Sequence, residues 1–231
     1  GFLKPMVILG LTAVLLLAEP DFGATVVIAV TVMTMLFLAG VRLKPFFFLL
    51  VLVVIAFALL AVSAPYRMAR LTTFLDPWAN QYSSGYQLTQ SLIAFGRGGF
   101  SGVGLGASIQ KLFYLPEAHT DFLFAVLAEE LGLIGILVLI GLYSLLVYRA
   151  FLIGRRAQGQ GMHAEGYIAY GFGVWLAMQA VVNMGVTAGL LPTKGLTLPL
   201  MSYGGSSMII DCIMIGLLLR IDVESRITLI K

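Results

Sequence analysis

Residues 131–148 read LGLIGILVLIGLYSLLVY, eighteen positions without a charged side chain. A helix crossing a bilayer needs roughly 20 apolar residues, at about 1.5 Å of rise each. The run meets that length once Glu129 and Glu130, just before it, are set at the membrane rim. Five further apolar stretches behave alike. The sequence therefore predicts an all-α fold: a polytopic helical membrane protein with about six transmembrane helices, near 5–18, 24–41, 45–66, 129–148, 167–190 and 199–219. One long extracytoplasmic loop, 67–120, separates the third span from the fourth, and 1–231 reads as a single membrane domain.

Composition excludes most other classes. Of 231 residues, 60% are hydrophobic and 11% charged, about half the charge of an ordinary globular chain. Mean hydropathy is +1.00. That pattern rules out a soluble enzyme, a disordered tail, a disulfide scaffold and a coiled coil. A membrane β-barrel would show short alternating segments instead of long apolar runs. The net charge of +3 is small and scattered over loop ends, which speaks against a nucleic-acid partner. Cys212 has no second cysteine to pair with, and His119 and His163 are too far apart in sequence to suggest a metal cage.

The cations set the orientation. Lys4, Arg42, Lys44, Arg149, Arg155, Arg156, Arg220, Arg226 and Lys231 fall on one side of the six spans. The short loops of the other side, Glu19-Pro20-Asp21 and 191–197, carry only Lys194. Positive charge in short loops marks the cytoplasmic face, so both chain ends are expected inside. The start at Gly1, without Met and close to an apolar run, sets the expectation of a portion of a longer protein.

A loop as long as 67–120 is unusual without a function. Glycines 96, 98, 99, 102, 104 and 106 resemble a phosphate loop only superficially, since no strand precedes them and no Gly-Lys-Ser/Thr follows. The plainer expectation is a flexible connector between short amphipathic helices on the membrane surface. Trp78, Tyr82, Tyr86 and Tyr114 fit interfacial anchors.

The chemistry-bearing residues cluster in two stretches. The first, Leu115–Gly132, reads LPEAHTDFLFAVLAEELG. Asp121 stands above the fourth span. It serves either as part of a capped helix entry or as an acid over a lipid head group. At 100° per residue Asp121, Ala125, Ala128, Gly132 and Gly135 share one line, which suits close helix packing or a groove for a lipid chain. Glu129 and Glu130 fit the membrane rim, where at least one is expected to anchor the helix at the interface, while the other is free to face an internal cavity. The second stretch, Pro192–Ser207, reads PTKGLTLPLMSYGGSS. Its helix-start amide groups and Lys194 suit an anion, and a broken, closely packed helix start explains it equally. Asp211 lies at mid-span, where a carboxylate is costly. Either a function or one hydrogen bond from a neighbouring helix accounts for it. Asn183, inside the fifth span, suits an interhelical hydrogen bond.

Together these motifs resemble the SEDS family of bacterial membrane glycosyltransferases, which includes FtsW, RodA and SpoVE. The matches are Glu19-Pro20-Asp21-Phe22-Gly23, Phe74-Leu75-Asp76-Pro77, Gly85-Tyr86-Gln87 and the two stretches above. Pro192-Thr193-Lys194-Gly195 and Asp76-Pro77-Trp78 are closer to the FtsW (division) branch than to RodA. Family members have about ten spans, so six imply a C-terminal portion.

The resemblance implies a peptidoglycan glycosyltransferase at the outer face of the bacterial cytoplasmic (inner) membrane, at the division septum. It would polymerise lipid II with inversion and release undecaprenyl diphosphate. Asp121 corresponds to the family's essential acid and would act as general base. Lys111 and Lys194 are candidates for the diphosphate charge, with Arg97 behind them, and Glu117 and His119 for orienting the acceptor or Asp121. Ser202, Gly204 and Gly205 complete the substrate-binding set. A divalent cation is a candidate helper, although the sequence shows no cage for one. The implied partners are a class B penicillin-binding protein and the FtsQ, FtsL and FtsB complex. Two other functions stay open at this point: a lipid II flippase or transporter, and a non-catalytic divisome scaffold.

Overall fold

Backbone N–H and C=O groups find no water in hydrocarbon, so apolar runs of this kind satisfy them internally as helices. The computed structural model describes residues 3–19, 21–41, 43–62, 73–192 and 195–227, and no strand occurs among them. The helices are α1 (Leu3–Ala18), α2 (Phe22–Leu38), α3 (Leu43–Val62), α4 (Tyr86–Gly98), α5 (Leu123–Gly159), α6 (His163–Thr187) and α7 (Gly205–Ile227). Among the described residues, α5 and α6 are each long and apolar enough to cross a membrane. Lys4–Ala18, Phe22–Leu38 and Phe46–Ala56 are shorter apolar helices. The helices present exposed aliphatic and aromatic side chains, among them Ile8, Phe48, Leu137 and Ile210. A water-facing surface would be polar at such positions, whereas a lipid-facing one is not. Hydroxyls within α2 are hidden by back-bonding: Thr31 Oγ1 donates to Val27 O and Thr34 Oγ1 to Val30 O, both at 2.8 Å.

The chain folds as two compact units. The first comprises Gly1–Val53, Tyr143–Met178 and Ile209–Lys231. Asp21 caps α2, its Oδ1 accepting from Ala24 N at 3.1 Å. Met33, Leu36 and Phe46 form one core of this unit, and Ala150, Ala157, Ala169, Leu218 and Ile221 form another. Small residues let α5 and α6 approach closely: a Cβ on Gly154 would stand 2.6 Å from the Tyr170 ring. Near the end of α7, Asp222 pairs with Arg156 and, at 2.8 Å, with Arg226. Asp211 is buried in α7, within electrostatic range of Tyr143.

The second unit comprises Val54–Leu142 and Gln179–Met208. Its core is Ala94, Leu115, Ala118, Phe122, Ala125 and Val126, with Phe95 against it. Helix α4 is amphipathic, and its buried Ser91 donates from Oγ to Thr187 O at 2.6 Å, joining it to the end of α6.

The glycine cluster is not a loose connector. Val103 N and Gly104 N donate to Glu129 O and Glu130 O, and Leu133 N and Ile134 N donate to Gly99 O and Phe100 O, at 3.0–3.3 Å. The loop thereby replaces backbone bonds that α5 loses where it breaks at Gly132 (φ 62, ψ −160). Glycine is required on both sides. Gly132 has positive φ, and a Cβ there would stand 2.7 Å from Phe100 O. Gly102 (φ 78) would overlap Glu130 O. The break also interrupts the straight line expected from Asp121 to Gly135, because side chains beyond Gly132 no longer share one helix register.

Of the two rim acids, Glu129 is the one turned inward. It is fully buried, accepting from Arg97 Nη1 at 3.0 Å, Ser108 Oγ at 2.5 Å, and Ile109 N and Gln110 N at 3.2 Å. A buried carboxylate is tolerable only when saturated in this way. The loop folds back over α5 and supplies the donors.

Candidate active site

Asp121 belongs to the turn that precedes α5 rather than to the helix itself. Glu117 opens this turn in the left-handed region (φ 57), and its carbonyl accepts from Thr120 N at 3.2 Å and Phe122 N at 3.1 Å. Thr120 Oγ1 also donates to Glu117 Oε2 at 2.7 Å. A non-glycine residue held at positive φ is strained, and such strain gathers at functional sites. The other non-glycine residue at positive φ among those described is Leu200 (φ 62), in the segment that meets this turn.

That meeting is built from hydrogen bonds. Ser202 Oγ donates to Thr120 O at 2.5 Å and accepts from Leu198 N at 2.9 Å. Tyr203 N donates to His119 O at 2.9 Å. Asn183 Nδ2, reaching from α6, donates to Asp121 O at 2.8 Å and to Leu196 O at 2.5 Å. Gly195 lies directly against the Asp121 carboxylate, leaving no room for a Cβ. The two motif stretches of the sequence are thus one site.

Asp121 is half-buried. Burial, and after it the negative charge of Glu117, push its carboxyl above the usual aspartate range. His119 and Leu123, which flank Asp121 in the sequence, line a cavity of about 730 Å³ together with Ser202, Gly204, Gly205 and Met208, among others. Most of the lining is apolar, and His119 and Ser202 contribute polar groups to it. Gly205 is the first residue of α7, as expected for the glycine pair, and residues 199–204 before it are not helical.

The other candidates separate from this site or remain undescribed. Lys111 Nζ is held by Glu130 Oε1 at 2.6 Å, and Arg97 by Glu129. Both cations are engaged in fixing the loop. Lys194 lies outside the described residues. Glu117 and His119 are exposed on the turn. Among the described residues no three His, Cys, Asp or Glu side chains gather as a metal-holding group. Reading the sequence alone missed two contributions. Asn183 signalled a hydrogen bond without revealing its acceptors. Gly195, read as part of a broken helix start, did not reveal the carboxylate packed on it.

Fold and site thus define an integral membrane protein of apolar helices, with a half-buried acid in the turn that leads into α5. The FtsW/RodA/SpoVE family of cell cycle proteins matches residues 1–227, and the chain belongs to that family. A relative from Legionella pneumophila, named "Probable peptidoglycan glycosyltransferase FtsW", is 72% identical over 226 residues, 98% of this chain and 57% of its own length. One of the same name from Coxiella burnetii is 64% identical, over 98% of this chain and 61% of its own length. The chain therefore spans a little over half the length of these curated relatives. A solved structure titled "Structural coordination of polymerization and crosslinking by a peptidoglycan synthase complex" is similar with a TM-score of 0.73 and 31% identity, over 97% of this chain and 62% of that one.

Proposed function

We propose that this protein is a peptidoglycan glycosyltransferase that polymerises lipid II during cell division, with Asp121 as the general base. The observation that carries the reading is the half-buried Asp121 carboxylate, its proton affinity raised, packed on Gly195 within a strained turn. A base works best when its proton affinity approaches the working pH, and a positioned one contributes about 10²–10⁴-fold. The names of the relatives support the same chemistry.

In the proposed step the acceptor's sugar hydroxyl gives its proton to Asp121. The freed oxygen attacks the anomeric carbon of the donor with inversion. A carbon–oxygen bond forms there as the bond to the diphosphate breaks, and the electron pair leaves with undecaprenyl diphosphate. That leaving group needs positive charge and oriented N–H groups rather than a strong acid. Lys194 and the start of α7 are the candidates for this task. His119 and Ser202 border the cavity in which the sugars would lie. The protein would act at the outer face of the inner membrane at the septum. Its partner would be a class B penicillin-binding protein, under the influence of FtsQ, FtsL and FtsB, in line with the peptidoglycan synthase complex to which the fold is similar.

The test is lipid II polymerisation by the purified full-length protein with its partner. Glycan strands from the native protein and none from Asp121→Asn support the reading. Undiminished strands from Asp121→Asn remove the base assignment. Movement of lipid II across vesicles without polymer replaces the enzyme by a flippase.

A further inference from the structure

Asn183 is 1% exposed, deep in α6, and from outside both motif stretches its amide bonds each of them. Nδ2 donates to the backbone carbonyl of the acid itself, Asp121 O, at 2.8 Å, and to Leu196 O, next to Gly195, at 2.5 Å. The orientation of the amide is fixed by this chemistry. Turned over, its oxygen would face two carbonyl oxygens and both would lose their donor. Asn183 is itself anchored: its backbone carbonyl accepts from Thr187 Oγ1 at 2.9 Å.

The consequence concerns distance. The Asp121 carboxylate touches Gly195, so the acid and the segment beginning at Gly195 have to stay in register to a fraction of an ångström. Ser202 and Tyr203 tie that segment to Thr120 and His119, but both bonds attach beyond its Pro199-Leu200 bend. Asn183 is what ties the near end, beside the carboxylate. We propose that Asn183 is a positioning residue, whose two donated hydrogen bonds hold the Asp121 turn and the 195–198 segment at the separation that the glycosyl transfer needs. The role rests on the reading of Asp121 as the base. It adds to that reading a residue that touches neither substrate nor reacting atom.

Two variants of the full-length protein test it. Asn183→Leu keeps the volume and removes the donor. Asn183→Asp keeps the shape and sets an acceptor against two carbonyls, and it carries the test where the Leu variant does not fold. Amide hydrogen exchange is expected to quicken in 117–122 and 195–203 together while residues 163–178 of α6 keep their protection. Turnover is expected to fall about 10²-fold, the cost of an ångström-scale misplacement, with KM for lipid II changed far less. Unchanged exchange in both segments overturns the proposal whatever the activity. So does faster exchange with native turnover, which would reduce Asn183 to a merely structural role. A native protein that makes no polymer, with the exchange pattern as expected, would instead overturn the function proposed above and leave the joint at Asn183 standing.

Discussion

Gly195 and Asp121, 74 positions apart in the sequence, are in contact: the glycine's missing side chain is the space that the Asp121 carboxylate Oδ2 occupies. Gly195 is exposed, and the three nearest atoms that a Cβ there would meet all belong to Asp121.

Gly195→Ala therefore separates activity from stability. A new Cβ overlaps the carboxylate and turns it from its place. Polymerisation of lipid II is expected to fall at least about 10-fold. The unfolding free energy should move by no more than about 0.5 kcal/mol, as for other exposed substitutions. Thermal unfolding in detergent alongside the polymerisation assay decides it, and an Ala variant of native activity contradicts the contact.

Glu117→Gln shifts the pH dependence. Burial, then the charge of Glu117, raise the proton affinity of Asp121. Removing that charge lowers it. A general base acts when ionised, so the acidic limb of the kcat/KM profile moves to lower pH in the variant. Gln retains an acceptor for Thr120 Oγ1, which keeps the turn intact. A limb that stays in place, or moves up, rules out this coupling.

Asp121→Asn should abolish turnover without weakening the fold. Because the folded-state proton affinity is raised, the ionised form is the one the fold disfavours. That penalty is absent at low pH and grows as pH rises through the folded value. A neutral amide removes it. At pH 7 the variant is expected to unfold at the same temperature as the native protein or a higher one. A clear drop would mean that the carboxylate is structural.

Glu129→Gln tests the buried hub. The change removes the charge that Arg97 Nη1 meets at 3.0 Å and weakens the bonds to Ser108, Ile109 and Gln110. Arg97 is partly solvated, so the cost should lie below that of breaking a fully buried pair, at about 2–3 kcal/mol. Denaturant titration measures it, and Arg97→Gln in the same chain should recover part of the loss.

Gly132→Ala and Gly141→Ala form a matched pair on one helix. At 132 a Cβ meets the 100–102 backbone and the φ of 62 resists it, so a loss of about 2 kcal/mol or more is expected. At 141 nothing lies within 4 Å, and alanine should cost nothing. Equal effects in thermal unfolding would contradict the break in α5.

The sequence by itself determined the helices, because hydrocarbon leaves an apolar backbone no other way to satisfy its hydrogen bonds. It determined the family for a related reason: the acid-bearing and glycine-bearing stretches have chemical demands that few other residues meet, so both are written almost continuously along the chain. What the tertiary structure alone decided was how those stretches combine. Local sequence carries no record of a contact made across many intervening residues. Asn183 could be known to need a partner, but only the fold supplied the carbonyls of Asp121 and Leu196. That one of Glu129 and Glu130 could turn inward was legible, but only the fold chose Glu129 and supplied Arg97 and Ser108 as its donors. The glycines after 96 looked loose until Gly132 broke α5 and gave them backbone to bind.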